Sequence, residues 1–153
     1  MSGNLSTAFA NDVCDMLTGR TPAGGLGNAT ACFGGSLYIA LTSDNPVDGD
    51  STIADVTELS GNGYSRIALT STIFSTGAAS GAISNVTTGI SWTASGGTLG
   101  GAAVQGWVIT DGATAGVTTD NIVAWCDDPA GITVADGETL TFAASGLTID
   151  VHN

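Results

Sequence analysis

The sequence predicts an all-β chain: a two-layer antiparallel β-sandwich, jelly-roll-like, of about eight strands, with one α-helix at its N-terminus. Three observations predict it. There are 23 glycines among 153 residues, set in a background of Thr, Ser and Ala, which breaks the chain into short pieces joined by turns. From residue 36 onward apolar residues recur at every second position, the period of a strand. Before that point the period is helical. A chain of 153 residues can bury one core and is short for two ordinary domains. Residues 1–35, the helix and a Gly-rich loop, and residues 36–153, the sandwich, are therefore expected to form one domain.

The helix is read over residues 5–17. At about 100° per residue, Leu5, Phe9, Ala10, Val13, Cys14, Met16 and Leu17 share one half of the wheel. Thr7, Asn11, Asp12 and Asp15 share the other. Asn4 can cap its start, Gly19 can end it, and Pro22 follows where continuation is barred. The Gly-rich stretch 23–35 reads as a loop. The first strand, 36–42, puts Leu37, Ile39 and Leu41 on one face. The second, 64–70, puts Ile67 and Leu69 on one face, and Tyr64, Arg66 and Ala68 on the other. Further strands are expected at 81–84, 89–94, 104–110 and 121–126. The last two, 138–142 and 146–151, show Leu140 and Phe142, then Leu147, Ile149 and Val151. The segments around 104–110 and 121–126 are apolar on both faces, which suits central strands or strands covered by a neighbouring subunit.

Charge narrows the function classes. Fourteen carboxylates face two cations, Arg20 and Arg66, for a net charge of −12 and no lysine. Nucleic acid is bound through Lys and Arg on phosphates, so no nucleic-acid partner is expected. Anionic membrane surfaces would repel the chain, and no stretch is long enough to span a bilayer. The carboxylates read as groups that keep a sparsely charged surface soluble. The opening MSGNLSTAF has neither a basic segment nor an apolar run, so no signal peptide is expected. Cys14, Cys32 and Cys126 are odd in number and lack CxxC spacing, as expected of buried free thiols made in a reducing cytoplasm.

The order of elements, with particular turn sequences, resembles a family of small bacteriophage virion proteins, described as head decoration or cement proteins or as tail-fibre-like proteins. A helix ending in Leu17-Thr18-Gly19 precedes the strand LYIALTSDNP (37–46). ELSGNGYSRIAL (58–69) then matches an acidic residue, a Ser-Gly turn, and Tyr-x-Arg entering a strand. GAISN (81–85), WVITDG (107–112) and GETLTFAASGLTIDV (137–151) complete the set. The similarity covers nearly the whole chain, and loop 110–121 is longer than usual for the family. The resemblance implies a β-sandwich, a place in the virion and no catalytic residues.

Candidate chemistry is thin. A Ser/Cys–His mechanism needs a positioned histidine, and the only one, His152, is next to the last residue. Zinc lacks a His/Cys cluster, and the glycines form no phosphate-binding motif. A glycosidase needs two carboxylates about 5–10 Å apart. Asp127 and Asp128 are adjacent in extended backbone and point to opposite faces, and nothing brings Glu58 and Glu138 together. No cofactor is expected. Calcium is the best of the ligand candidates, at Asp44, Asp48 and Asp50 around Gly49. Against an EF-hand loop beginning at Asp44, Pro46 occupies a ligand position and Asp55 replaces the final Glu, a poor match. Arg66 is expected to be a fold-determining residue paired with a carboxylate such as Glu58, because a buried guanidinium without a partner is costly.

The function expected is therefore structural. The leading expectation is a capsid decoration or cement protein on the capsid exterior, made in the host bacterial cytoplasm. Its expected partners are the major capsid protein and copies of itself in a trimer. Leu5, Phe9, Val13 and Leu17 form the helix face expected to serve assembly. The alternative within the family is a minor tail or tail-fibre-like protein. The alternative of another class is a carbohydrate-binding module using Trp92, Trp107 and Trp125, although Trp107 and Trp125 lie among Val and Ile as core residues would.

Overall fold

A computed structural model of the chain describes residues 37–69, 82–84, 90–143 and 146–150. The expected helix at 5–17, with Leu5, Phe9, Val13 and Leu17, lies outside the described residues, as do Arg20, Cys14, Cys32 and His152. Eight strands form in the described part, in chain order: β1 (Leu37–Thr42), β2 (Ile67–Leu69), β3 (Ala82–Ser84), β4 (Ile90–Thr93), β5 (Val104–Thr110), β6 (Ile122–Ile132), β7 (Thr139–Phe142) and β8 (Thr148–Asp150). Short 3-10 turns stand at Ile53–Asp55 and Leu99–Gly101. The all-β, antiparallel fold class is present.

The chain divides into two compact units: residues 37–68 with 90–141, and residues 1–36, 69–89 and 142–153. In the second of these, β3 and β8 pair antiparallel with Ile83 opposite Ile149, and Leu147 just before β8 is buried.

The first unit contains a four-stranded sheet in the order β2-β1-β5-β6 and a two-stranded pair, β4 with β7. β1 and β5 run antiparallel with Ala40 opposite Val108 and Leu41 opposite Trp107. Both faces of this central pair are buried. Leu37, Ile39, Leu41 and Ile109 fill one side, each worth about 1.5–3 kcal/mol on burial. On the other side Ala40 and Val108 pack with Ile53 and Val56, which the 3-10 turn carries over the sheet, and Ile122 joins them. The double-sided apolar pattern of 104–110 thus belongs to a central strand.

β6 is different. It lies at the sheet margin, and Trp125 and Cys126 are exposed. Cys126 was expected as a buried thiol, and Trp125 in a strand either central or covered by a neighbouring subunit. The apolar sequence of 121–126 is real, but the register carries Trp125 past Val108 to a position with no further described strand beside it. β6 also departs from regular pairing: Gly106 faces Asp127 while Val104 faces Ile132, so residues 128–131 bulge from the ladder.

Gly106 fixes how the turn after β1 lies. A Cβ there would stand 2.5 Å from Pro46 Cδ and 2.8 Å from the carbonyl oxygen of Cys126, so only glycine lets Pro46 seat on the sheet.

Candidate functional site

The most concentrated polar chemistry among the described residues surrounds Arg66. The segment Ser60-Gly61-Asn62-Gly63 makes it possible. Gly61, Asn62 and Gly63 all have positive φ, a run that few residues other than Gly and Asn adopt. The turn closes with Tyr64 N donating to Gly61 O at 2.9 Å. It is held to the loop before β5 by Asn62 Nδ2 donating to Thr98 O at 2.8 Å and Ser95 N donating to Asn62 O at 3.0 Å. The chain leaves this turn with Tyr64 and Arg66 inward and Ser65 outward. The carbonyl of Ser65 accepts the Trp92 indole N–H at 2.7 Å, so regular pairing in β2 begins only at Ile67.

Every N–H of the Arg66 guanidinium has an acceptor. Nε and Nη2 bond Glu58 Oε1 and Oε2, both at 2.8 Å, in a bidentate fork. Nη1 donates to Asp120 Oδ2 at 2.6 Å and to Gly112 O at 2.7 Å, and Nη2 makes a longer contact of 3.5 Å to Val117 O. The Arg66 side chain is 0% exposed and the Glu58 side chain 5%. Glu58 also accepts Tyr64 Oη at 2.7 Å and Gly116 N at 2.9 Å. The Tyr64 hydroxyl in turn accepts the backbone N–H of Leu41 in β1 at 3.1 Å.

Electrostatics follow from these contacts. Burial pushes the Glu58 carboxyl up, but the bonds from Arg66, Gly116 and Tyr64 outweigh it and hold the group below the usual glutamate value. Burial, then the Glu58 charge, pushes the Tyr64 phenol up. Burial opposes the Arg66 charge, yet Glu58 and Asp120 raise its value further above the ordinary one. The cluster is saturated and closed, with no vacant donor for a substrate. Its reach is its physical point. Three of the groups it holds (Gly112, Gly116 and Val117), together with Asp120, belong to the loop between β5 and β6. Arg66 therefore clamps the two ends of that loop at Gly112 and Asp120, and Glu58 holds its middle through Gly116 N, while the side chains of residues 113–119 stay exposed. Gly112 lets the Asp120 carboxylate approach, since a Cβ at that position would collide with it.

Asp120 had no mark in the sequence, because it lies 54 residues from Arg66 and only the fold joins them. Tyr64 was legible as sharing a strand face with Arg66 and as part of the Tyr-x-Arg element, without its bond to Glu58.

The remaining candidates are dispersed. Asp44 Oδ2 accepts Thr57 N at 2.8 Å, and Asp50 Oδ2 accepts Val47 N at 2.9 Å, while Asp48 is exposed. Asp50 closes a local turn and Asp44 ties it to Thr57, and the described residues contain no group of three His, Cys, Asp or Glu side chains disposed to hold a metal ion. Asp55 is likewise spent on backbone, accepting Thr52 N at 2.9 Å and Ser51 N at 3.0 Å, and those bonds lower its pKa. Of the three tryptophans, Trp92 is buried, Trp107 is half-buried and Trp125 is exposed, so they do not form one aromatic platform. Cys126 is exposed on β6, and partial burial and then the charges of Asp127 and Asp128 raise its thiol pKa.

Residues 4–150 match the model of a protein family described as Podophage GP4 fiber I protein gp80. The chain belongs to that family. The bacteriophage resemblance read from the turns and strands thus holds, on its tail-fibre-like side. No curated protein matches the chain. As a member of a phage fibre family it is a structural protein of the virion. No helix among the described residues is long and apolar enough to cross a membrane.

Proposed function

We propose that the chain is a subunit of the tail-fibre apparatus of a phage particle, acting by assembly and not by catalysis. One observation carries this reading: the family that matches almost the whole chain is described by a fibre protein. That description favours the tail-fibre alternative over the head-decoration role that led the sequence reading, and with it moves the expected site from the capsid exterior to the tail. The closed Arg66 cluster supports the non-catalytic half of the proposal, since its charged groups are occupied with one another. Self-association, expected from the sequence as a trimer, remains part of this proposal. The test is antibody labelling of intact particles viewed by electron microscopy. Label at the tail supports the proposal. Label distributed over the head returns the chain to decoration.

A further inference from the structure

β6 is the longest strand of its sheet, eleven residues against seven for β5, and it ends the sheet among the described residues. Its first residue is already paired on the side away from β5, Ile122 N donating to Ser51 O at 2.9 Å. Past that point no described strand lies along its outer side, so among the described residues no strand pairs with the backbone groups directed away from β5. Side chains on this margin are open too. Trp125 is 38% exposed and Ile132 is 45% exposed. The register, Val108 opposite Trp125 and Gly106 opposite Asp127, sets Trp125 and Asp127 on one face. Pro46, seated over Gly106, brings the exposed Val47 to the same side.

A second copy is the first occupant to consider, and charge speaks against it. The chain carries −12 and no lysine. Arg66 is buried and saturated by Glu58 and Asp120, which leaves the described surface without an available cation. Two copies joined along β6 would place the Asp127-Asp128 pair of each on one shared edge, with no described cation to neutralise them. A marginal strand interrupted by Asp127-Asp128-Pro129 and a bulge is blunted against an acidic chain like itself. What this edge lacks is positive charge, and a partner has to bring it.

We propose that the outer edge of β6, marked by Trp125 and Asp127, docks an extended lysine- or arginine-bearing segment of a different virion protein. The segment pairs with the free backbone edge, sets a cationic side chain on the Trp125 indole, and neutralises Asp127 and Asp128. The inference rests on the reading of the chain as a virion component.

Its test uses intact particles and a carbodiimide, which joins a carboxylate directly to an amine. Because the chain has no lysine, a link from Asp127 or Asp128 to a lysine identifies another protein. Peptides of this chain in the same digest score its presence, and their absence overturns the virion reading itself. The expected result is a link from Asp127 or Asp128 to a lysine of a different virion protein. A second arm also reads a partner that uses arginine: phage carrying Trp125→Ala, Asp127→Asn and Asp128→Asn together. The isolated variant is expected to melt as the parent does and to fall at least tenfold in copies per particle. Links from these carboxylates only to the chain's own amino terminus would point to a second copy and overturn the proposal. So would parental copy number for the triple variant.

Discussion

Arg66 shows how much one residue can organise in a chain that has a single other cation. Its replacement by Ala would leave Glu58 and Asp120 facing each other in a closed site. Removing one partner of such a buried pair costs about 3–5 kcal/mol. Urea unfolding of Arg66→Ala should therefore show a midpoint far below the parent, and an unchanged midpoint would mean the clamp contributes nothing. The pH dependence has a definite sign. Glu58 is held below its unfolded value, so the native state binds fewer protons and the stabilisation is complete above the ordinary glutamate value of about 4.3. It is lost as pH falls through the depressed native value. Tyr64 is shifted upward, so its contribution is complete below the ordinary phenol value of about 10 and is lost as pH rises above it. Urea midpoints measured across pH should form a plateau between those limits, and Glu58→Gln should flatten the acid limb.

At the scale of the element, the strand positions were legible because period two is written locally. Leu37, Ile39 and Leu41 are buried as their spacing demanded, and Ile90 and Trp92 alternate with exposed Ser91 and Thr93. Lateral order is not written locally. Nothing in 121–126 distinguishes a central strand from a marginal one, which is why the segment was expected to be central or covered by a neighbouring subunit, while Trp125 and Cys126 are exposed in the single chain. The clamp on the β5–β6 loop was half legible: Glu58 and Arg66 lie in one short motif, while Asp120 and Gly112 reach them only through the sheet. The contrast between tryptophans is measurable. Trp92→Ala should cost about 3–5 kcal/mol, as core aromatics do, whereas Trp125→Ala should stay within about 0.5 kcal/mol, as surface changes do. Equal losses would contradict the marginal position of β6. A third comparison concerns Asp44, Asp48 and Asp50. Asp44 and Asp50 hold the backbone N–H groups of Thr57 and Val47 and the described residues form no metal-holding group, so millimolar calcium and a chelator should give the same melting temperature. A rise of several degrees with calcium would show a site that the described residues do not form.

For the whole molecule, an acidic surface and a fibre-family membership set the terms of assembly. Composition argues against a nucleic-acid partner, because two arginines are few to neutralise a backbone of phosphates and one of them is locked inside the fold. Composition could not choose between head and tail, since acidity and a β-fold suit both. Static light scattering of the isolated chain should show an oligomer, with association strengthening as salt screens the repulsion between copies, and a monomer at high micromolar concentration in salt would count against self-assembly. Position in the particle is tested most directly by copy number. Quantitative mass spectrometry of intact particles, referenced to the major capsid protein, should find only a few copies per particle, as a fibre subunit requires. A ratio near unity, or a simple fraction of it, would contradict the tail-fibre account and place the chain on the head.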